Sequence, residues 1–337
     1  MIETFQQLER QTLIAPLGVR FWDVAFGAYV RGGLTVSAYP AGDPSGATDA
    51  MPNRSGTYVL HHAKGLREFE MGLSKVEFTE TTPERWRFTV EVRDLERRFV
   101  PVAFEAWLPF KGFFRWQATT LERTPLDPPD ELSIPLYSSI QRGAPAGMAV
   151  LRLELYEASA SETESETDEE RSRKPAAWAM LEARSGGRLL GRGLADEQGR
   201  MMLVFAYPSP QNTSNPVGSA PGSFSAGLPF LKQEWTIELQ AYYGPDALLS
   251  PPSPPSPPGS PPSSVVAGSQ LPDLSRLLDQ PPADLFLDEA QMETVTEVSL
   301  MYGPNFFVHP SGSNAGSPLN PIPLSILFIT PADSPPS

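Results

Sequence analysis

The stretch whose reading decides the fold is Trp178–Tyr207, WAMLEARSGGRLLGRGLADEQGRMMLVFAY. It divides into three short strands at about 177–183, 188–194 and 201–205. Ser185-Gly186-Gly187 turns the chain between the first two, because glycine reaches positive φ without a Cβ clash. Asp196-Glu197-Gln198-Gly199 makes the second turn: acidic side chains accept from their own backbone and the glycine takes the left-handed position. Tyr207-Pro208 stops the third strand. Nothing in the stretch is catalytic in type; it is sheet scaffolding.

A weaker copy lies towards the N-terminus. Gly27-Ala28-Tyr29-Val30-Arg31-Gly32-Gly33-Leu34 aligns with Gly187-Arg188-Leu189-Leu190-Gly191-Arg192-Gly193-Leu194. Ser55-Gly56-Thr57-Tyr58-Val59-Leu60 resembles Gln198-Gly199-Arg200-Met201-Met202-Leu203. A polar loop, about 40–54, separates the two pieces in the first copy. Two copies of one β unit imply two related domains.

Alternation at period two extends this reading in both directions. Trp86, Phe88, Val90 and Val92 alternate with Arg85, Arg87, Thr89, Glu91 and Arg93, which gives one buried face. The segment 94–98 turns, and Val100, Val102, Phe104 and Ala106 continue the hairpin. Pro101 cannot donate to a ladder and marks an edge or a bulge. Further strands are expected at 17–22, 34–39, 57–60, 151–156, 234–241, 294–302 and 324–330. The best helix lies at 271–279, ended by Pro281-Pro282. Residues 1–13 read equally well as a short amphipathic helix or as a frayed arm.

The expected organisation is an arm at 1–14, a first β-sandwich domain at 15–123, a linker at 124–132 and a second domain at 133–331. The second domain carries two insertions. One is the acidic run 159–174, SASETESETDEERSRK, a solvated loop by composition, which lacks the spacing of a calcium loop. The other is 250–270, which contains PPSPPSPPGSPP at 251–262, a polyproline II or disordered spacer by composition.

The chain has 337 residues, enough for two ordinary domains, with 38 prolines concentrated outside the periodic segments. Its net charge of −14 argues against nucleic acid and against an anionic membrane surface. The absence of cysteine removes disulfides, thiolate metal sites and cysteine nucleophiles. The start, MIETFQQLERQTL, has no basic n-region and no apolar h-region of the Sec type. No apolar run approaches ~18 residues. The expected location is therefore cytoplasmic synthesis, with release in a particle as one route outwards.

Candidate chemistry is sparse. His61 and His62 are strand neighbours and point to opposite faces, and His309 is remote. There is no Gly-x-Ser-x-Gly, no P-loop and no Gly-x-Gly-x-x-Gly. The carboxylates fall in turns and in the acidic run. No enzyme activity, cofactor or metal is expected. The tryptophans could line a sugar platform, but alternation assigns most of them to core. Phe110, Phe113, Phe114 and Trp116 differ. They crowd into seven residues without strict alternation, which points to exposure and a protein contact.

Two resemblances add to this. Ala183-Arg184-Ser185-Gly186-Gly187-Arg188, leading into Gly193-Leu194-Ala195-Asp196-Glu197-Gln198-Gly199-Arg200, resembles the transthyretin-like and carboxypeptidase-regulatory-like β-sandwiches. That resemblance implies a non-catalytic structural or interaction module. Over most of the chain, Pro16-Leu17-Gly18-Val19-Arg20-Phe21-Trp22-Asp23, Gly65-Leu66-Arg67-Glu68-Phe69-Glu70, Phe88-Thr89-Val90-Glu91-Val92-Arg93-Asp94, Ile134-Pro135-Leu136-Tyr137-Ser138-Ser139 and Pro272-Asp273-Leu274-Ser275-Arg276-Leu277-Leu278 look like an accessory protein encoded with extracellular contractile injection systems, the phage-tail-like particles of bacteria. The expected fold is thus all-β, with two tandem transthyretin-like or immunoglobulin-like sandwiches. The expected function is that of a structural or adaptor subunit of such a particle, contacting its other protein subunits. The alternative is a surface adhesin or carbohydrate-binding module.

Overall fold

The computed structural model describes residues 14–71, 85–110, 113–115, 132–143, 147–158, 173–208, 234–245, 271–287, 294–301 and 325–330. Nearly all of its regular structure is β, in two sheets. The first contains β1 (Leu17–Asp23), β2 (Ala28–Tyr29), β3 (Leu34–Pro40), β4 (Thr48–Pro52), β5 (Tyr58–Leu60), β6 (Trp86–Asp94), β7 (Val102–Leu108) and β8 (Ser133–Leu136), with a one-turn helix α1 (Arg67–Glu70). The second contains β9 (Met148–Glu157), β10 (Met180–Ser185), β11 (Arg188–Leu194), β12 (Arg200–Ala206), β13 (Glu234–Tyr242), β14 (Pro282–Phe286), β15 (Glu297–Met301) and β16 (Ser325–Thr330). A second helix, α2 (Leu274–Leu278), starts at Asp273, whose carboxylate accepts from the Ser275 amide at 2.8 Å.

The strand order of the first sheet repeats in the second. Around the first it runs β1-β5-β4-β3-β6-β7, every neighbour antiparallel. β8 lies parallel to β1. The backbone just past β8 bonds that just before β7: Val100 N donates to Tyr137 O at 3.0 Å and Ser139 N to Arg98 O at 2.8 Å. The circuit is thereby closed. In the second sheet β9 pairs antiparallel with β12 and parallel with β16, while β11-β10-β13-β14-β16 are successive antiparallel neighbours. β15 extends the β14 side of β13. β11 and β12 meet by packing rather than by a ladder. A Cβ on Gly191 would lie 3.2 Å from the Val204 carbonyl oxygen, and one on Gly193 3.3 Å from that of Met202.

Residue registers agree with this repeat. Val19 pairs with Tyr58 and Leu153 with Met201. Two residues on, Phe21 pairs with Ile134 and Leu155 with Leu327. Val30 N donates to Phe21 O, and Ala176 N to Leu155 O, both at 2.9 Å. The short β2 hairpin of the first copy therefore occupies the place of the longer connection that carries the acidic run in the second.

The turn before β5 and the turn before β12 are built alike. Asn53 Oδ1 accepts from Ser55 N at 2.9 Å and Thr57 N at 3.0 Å; Asp196 Oδ1 accepts from Gln198 N and Arg200 N, both at 2.9 Å. The fourth residue of each is a glycine with positive φ, Gly56 at 80° and Gly199 at 73°. A third such turn opens at Asp94, which accepts from Arg98 N, but here Arg97 sits at φ 55°. A side chain with a Cβ costs roughly 1 kcal/mol in that region. Arg97→Gly is therefore expected to raise stability by several tenths to about 1 kcal/mol, read as a higher denaturant midpoint; an unchanged or lower midpoint would show that no strain resides there.

The structure corrects several expectations. The alignment of 55–60 with 198–203 coincides with equivalent strands. That of 27–34 with 187–194 does not: the first segment spans β2, a turn and the start of β3, whereas the second is β11 alone. The expected polar loop 40–54 holds a 3-10 turn, Pro44–Gly46, and β4. Ser133–Leu136, placed at the start of the second domain, is the last strand of the first sheet, where all four residues are buried. The helix expected at 271–279 is shorter, and Leu274, Leu277 and Leu278 join the first core rather than the second. Asp273 also forms a parallel bridge to Ala103 on β7. Trp178, Met180, Leu194 and Tyr242 reach the same core from the second sheet, so apolar packing joins the two halves. Of the expected arm 1–14, linker 124–132 and acidic insertion 159–174, residues 1–13, 124–131 and 159–172 lie outside the described residues, as does the whole insertion 250–270.

Candidate functional site

The aromatic segment singled out in the sequence is laid alongside β1. Phe110 N donates to Pro16 O and Phe114 N to Gly18 O, both at 2.8 Å, and Phe113 bridges Gly18 in parallel. This separates the four residues. Phe114 turns inwards, 9% exposed, with its ring 5.4 Å from that of Phe104. Phe110 packs half-buried against the same core, its ring 6.0 Å from Phe114. Phe114 is thus a core residue rather than the exposed contact expected of it, and Phe110 is partly buried beside it. Phe113 stays on the surface, 38% exposed, and Trp116 lies outside the described residues.

Phe113 belongs to a different group. On β1, Leu17, Val19 and Phe21 point into the core, so Gly18 and Arg20 occupy the opposite face; Trp22 shares their parity but is buried with the core. The Arg20 guanidinium sits 4.2 Å from the Phe113 ring centre and 5.9 Å from that of Tyr29. Its Nε donates to Thr57 Oγ1 at 3.4 Å. Tyr29 pairs with Trp22 across the β1–β2 ladder, their rings edge to face at 5.0 Å. The result is a surface row, Phe113–Arg20–Tyr29, with Phe113 and Tyr29 exposed and Trp22 buried beneath Tyr29 at the edge of the core. Cation–π contact places the guanidinium between two rings. Only Phe113 was legible in the sequence; Arg20 looked like an ordinary polar position on an alternating strand, and its partners are distant along the chain.

The turn beside this row is braced from within. Asp23 is buried and receives Arg142 Nη1 at 3.0 Å and Nη2 at 2.5 Å. Arg142 lies between the rings of Phe26 (4.5 Å) and Phe99 (5.0 Å) and also donates to Ser138 Oγ at 2.8 Å. Asp23 Oδ1 in turn accepts from Ala25 N at 3.1 Å. A two-pronged ion pair of this kind fixes the β1–β2 corner and hence the position of Tyr29.

A second charged group lies in the other sheet. Glu182 on β10 accepts from Arg192 Nη2 at 2.6 Å and Arg184 Nη2 at 2.7 Å. The hydrogen bonds Arg184 donates to Glu182 raise its pKa above the ordinary guanidinium value. Tyr242 Oη also donates to Glu182 Oε2 at 3.5 Å, so three side chains meet the one carboxylate. Among the described residues no three of His, Cys, Asp and Glu gather into a metal-binding group. His61 and His62 are exposed and His309 lies outside the described residues. Trp22, Trp178 and Trp235 are core, whereas Trp86 and Trp107 are 53% and 54% exposed. Trp86 shares the inward parity of Phe88 but stands at the strand's first residue, beyond the end of the core. No helix among the described residues is long and apolar enough to cross a membrane.

No family model, curated protein or solved structure matches this chain.

Proposed function

We propose that the chain is a non-enzymatic structural or adaptor subunit that works through protein–protein contacts. Its setting in this reading is a contractile, phage-tail-like particle, as the sequence resemblance implies. The observation that carries the contact role is the Phe113–Arg20–Tyr29 row: two exposed aromatic rings flanking an arginine have the composition of interface anchors. The repeated strand circuit supports the finer reading of two tandem transthyretin-like sandwiches, each a scaffold that presents loops and faces. Exposed Trp107, on the outward face of β7, favours the second reading, a carbohydrate-binding module, since large flat rings stack on sugars.

The test compares wild type with a Tyr29→Ala, Phe113→Ala double variant by co-sedimentation with purified particles, alongside melting curves. Truncating interface anchors typically costs ~2 kcal/mol or more, so the variant should stay folded and lose about thirtyfold in affinity. Wild type that fails to co-sediment, yet binds a glycan array through Trp107, would replace this reading with the second.

A further inference from the structure

We propose that the outer face of β1, β5 and β4 docks an amphipathic helix of a partner protein, one whose apolar stripe is bordered on one side by carboxylates. The inference rests on the contact role given to Phe113 and Arg20, and it names the chemistry of what meets them.

An apolar line crosses the strands of this face. Phe113 bridges Gly18, Gly18 pairs with Val59, and Val59 pairs with Met51. Residues paired laterally share a face of a sheet. It is the outer face, because their chain neighbours Leu17, Val19, Tyr58, Leu60, Ala50 and Phe114 are buried in the first core. Met51 is 60% exposed and Phe113 38%, while Val59 is half-buried. Gly18 has no side chain, so the line dips between Phe113 and Val59. The line spans about three strand spacings, roughly 14 Å. About ten helical residues cover that length.

The charges lie beside this line, not on it. Arg20 stands two residues along β1 from Gly18, about 7 Å away, and its Nε donates to Thr57 Oγ1 on the neighbouring chain segment. Arg54 is exposed in the turn before β5, and Arg31, also exposed, lies against Gly56 of the same turn. None of the ion pairs among the described residues includes Arg20, Arg31 or Arg54. The carboxylate at that end of β1, Asp23, is taken by Arg142. On the opposite flank of the line, two residues before Met51, stands exposed Asp49. One flank therefore attracts carboxylates and the other repels them.

This arrangement selects a helix. An extended segment laid along the line points successive side chains alternately at the sheet and away from it. It cannot offer one surface an apolar row and a parallel row of carboxylates. A helix can, because its apolar stripe and the flank beside it run side by side. Carboxylates match the forked donors of arginine. Screening confines a surface field to about 8 Å at physiological salt. The three arginines, rather than the chain's net charge of −14, thus set the field beside the line. A polyanion without apolar groups would leave Met51 and Phe113 in water.

The experiment titrates the full chain with a labelled, end-capped alanine-based helix that carries Leu at i, i+4 and i+7 with Glu on one flank. A twin helix has Lys in place of Glu. The Glu helix should bind about tenfold more tightly than the Lys twin, and high salt should narrow the difference. Met51→Ser and Arg54→Glu, both at exposed positions and checked by melting curve, should each weaken the Glu helix about fivefold or more. No binding of the Glu helix at about 1 mM overturns the inference, as does equal binding of the two helices; neither outcome depends on a variant. Binding that either substitution leaves unchanged also overturns it, since each removes one of the two features. Dimerisation of the full chain that Met51→Ser abolishes would seat a second copy on the face in place of a partner and overturn it too. Co-sedimentation with particles is measured in parallel. Particle binding without helix binding removes this inference alone. Helix binding without particle binding upholds it and removes the particle setting alone.

Discussion

Gly199→Val is expected to destabilise the second sheet by at least ~3 kcal/mol, enough to lower the melting temperature by about 10 °C in a protein of this size. Two causes add. Gly199 has φ +73°, where a β-branched residue is strained by about 1–2 kcal/mol. A Cβ there would also lie 2.3 Å from the Leu155 carbonyl oxygen, a backbone atom that no rotamer change can move. Relief requires β12 to separate from β9 where Leu155 N donates to Gly199 O at 2.8 Å and Leu155 O accepts from Ala176 N at 2.9 Å. The matched substitution Gly56→Val meets Arg31 Cα at 3.1 Å, a milder approach, and should cost less. Gly259→Val, in the proline tract, should leave the midpoint unchanged. Equal losses at positions 199 and 259 would mean that the turn does not depend on its glycine.

That turn was legible because its chemistry is local. An Asp or Asn that accepts from amides two and four residues on, with glycine at the fourth position, writes itself into consecutive letters, as do the period-two strands β6, β9 and β13. The other half of the suspected repeat misled for the converse reason. Gly33 and Gly193 match as letters but serve different ends. Gly33 takes φ +85° in a turn; Gly193 lies inside β11, where Met201 and Leu203 leave no room for a side chain. β4 escaped notice because only Ala50 of its five residues is buried, which gives no alternation to read. β8 escaped because all four of its residues are buried, with Pro135 among them. Parallel pairing of β8 with β1, and of β16 with β9, joins segments from opposite ends of each copy and has no short-range signature. The contact surface was half legible on the same grounds: the crowded aromatics marked the region, but only the parallel bridge at Gly18 decides which ring meets Arg20.

Glu182→Gln is the other substitution expected to act strongly, with a loss of about 3–5 kcal/mol. The Glu182 and Arg192 side chains are 1% and 2% exposed and stand directly opposite each other on β10 and β11. Arg192 gives Glu182 Oε1 two hydrogen bonds, from Nε at 2.9 Å and Nη2 at 2.6 Å. An amide keeps the shape of the carboxylate but removes its charge, and it turns one acceptor into a donor facing a guanidinium. Arg192 then loses the carboxylate charge that faces it across the ladder while it stays buried, and that residue carries most of the loss. Arg184, at 32% exposure, can turn to water, so Arg184→Ala should cost less than ~1 kcal/mol. The size of the Glu182→Gln effect does not measure what the pair contributes, since two desolvated ions recover by attraction much of what burial costs them. Glu182→Met with Arg192→Met separates the two quantities. If the loss arises from a stranded charge, the double variant should recover most of the stability lost by Glu182→Gln, because neither ion is then buried. Urea unfolding of the wild type, both single variants and the double variant decides it. A Glu182→Gln loss under 1 kcal/mol would show that water reaches Arg192, and a double variant as unstable as the single would show that packing between β10 and β11, not charge, is what the site requires.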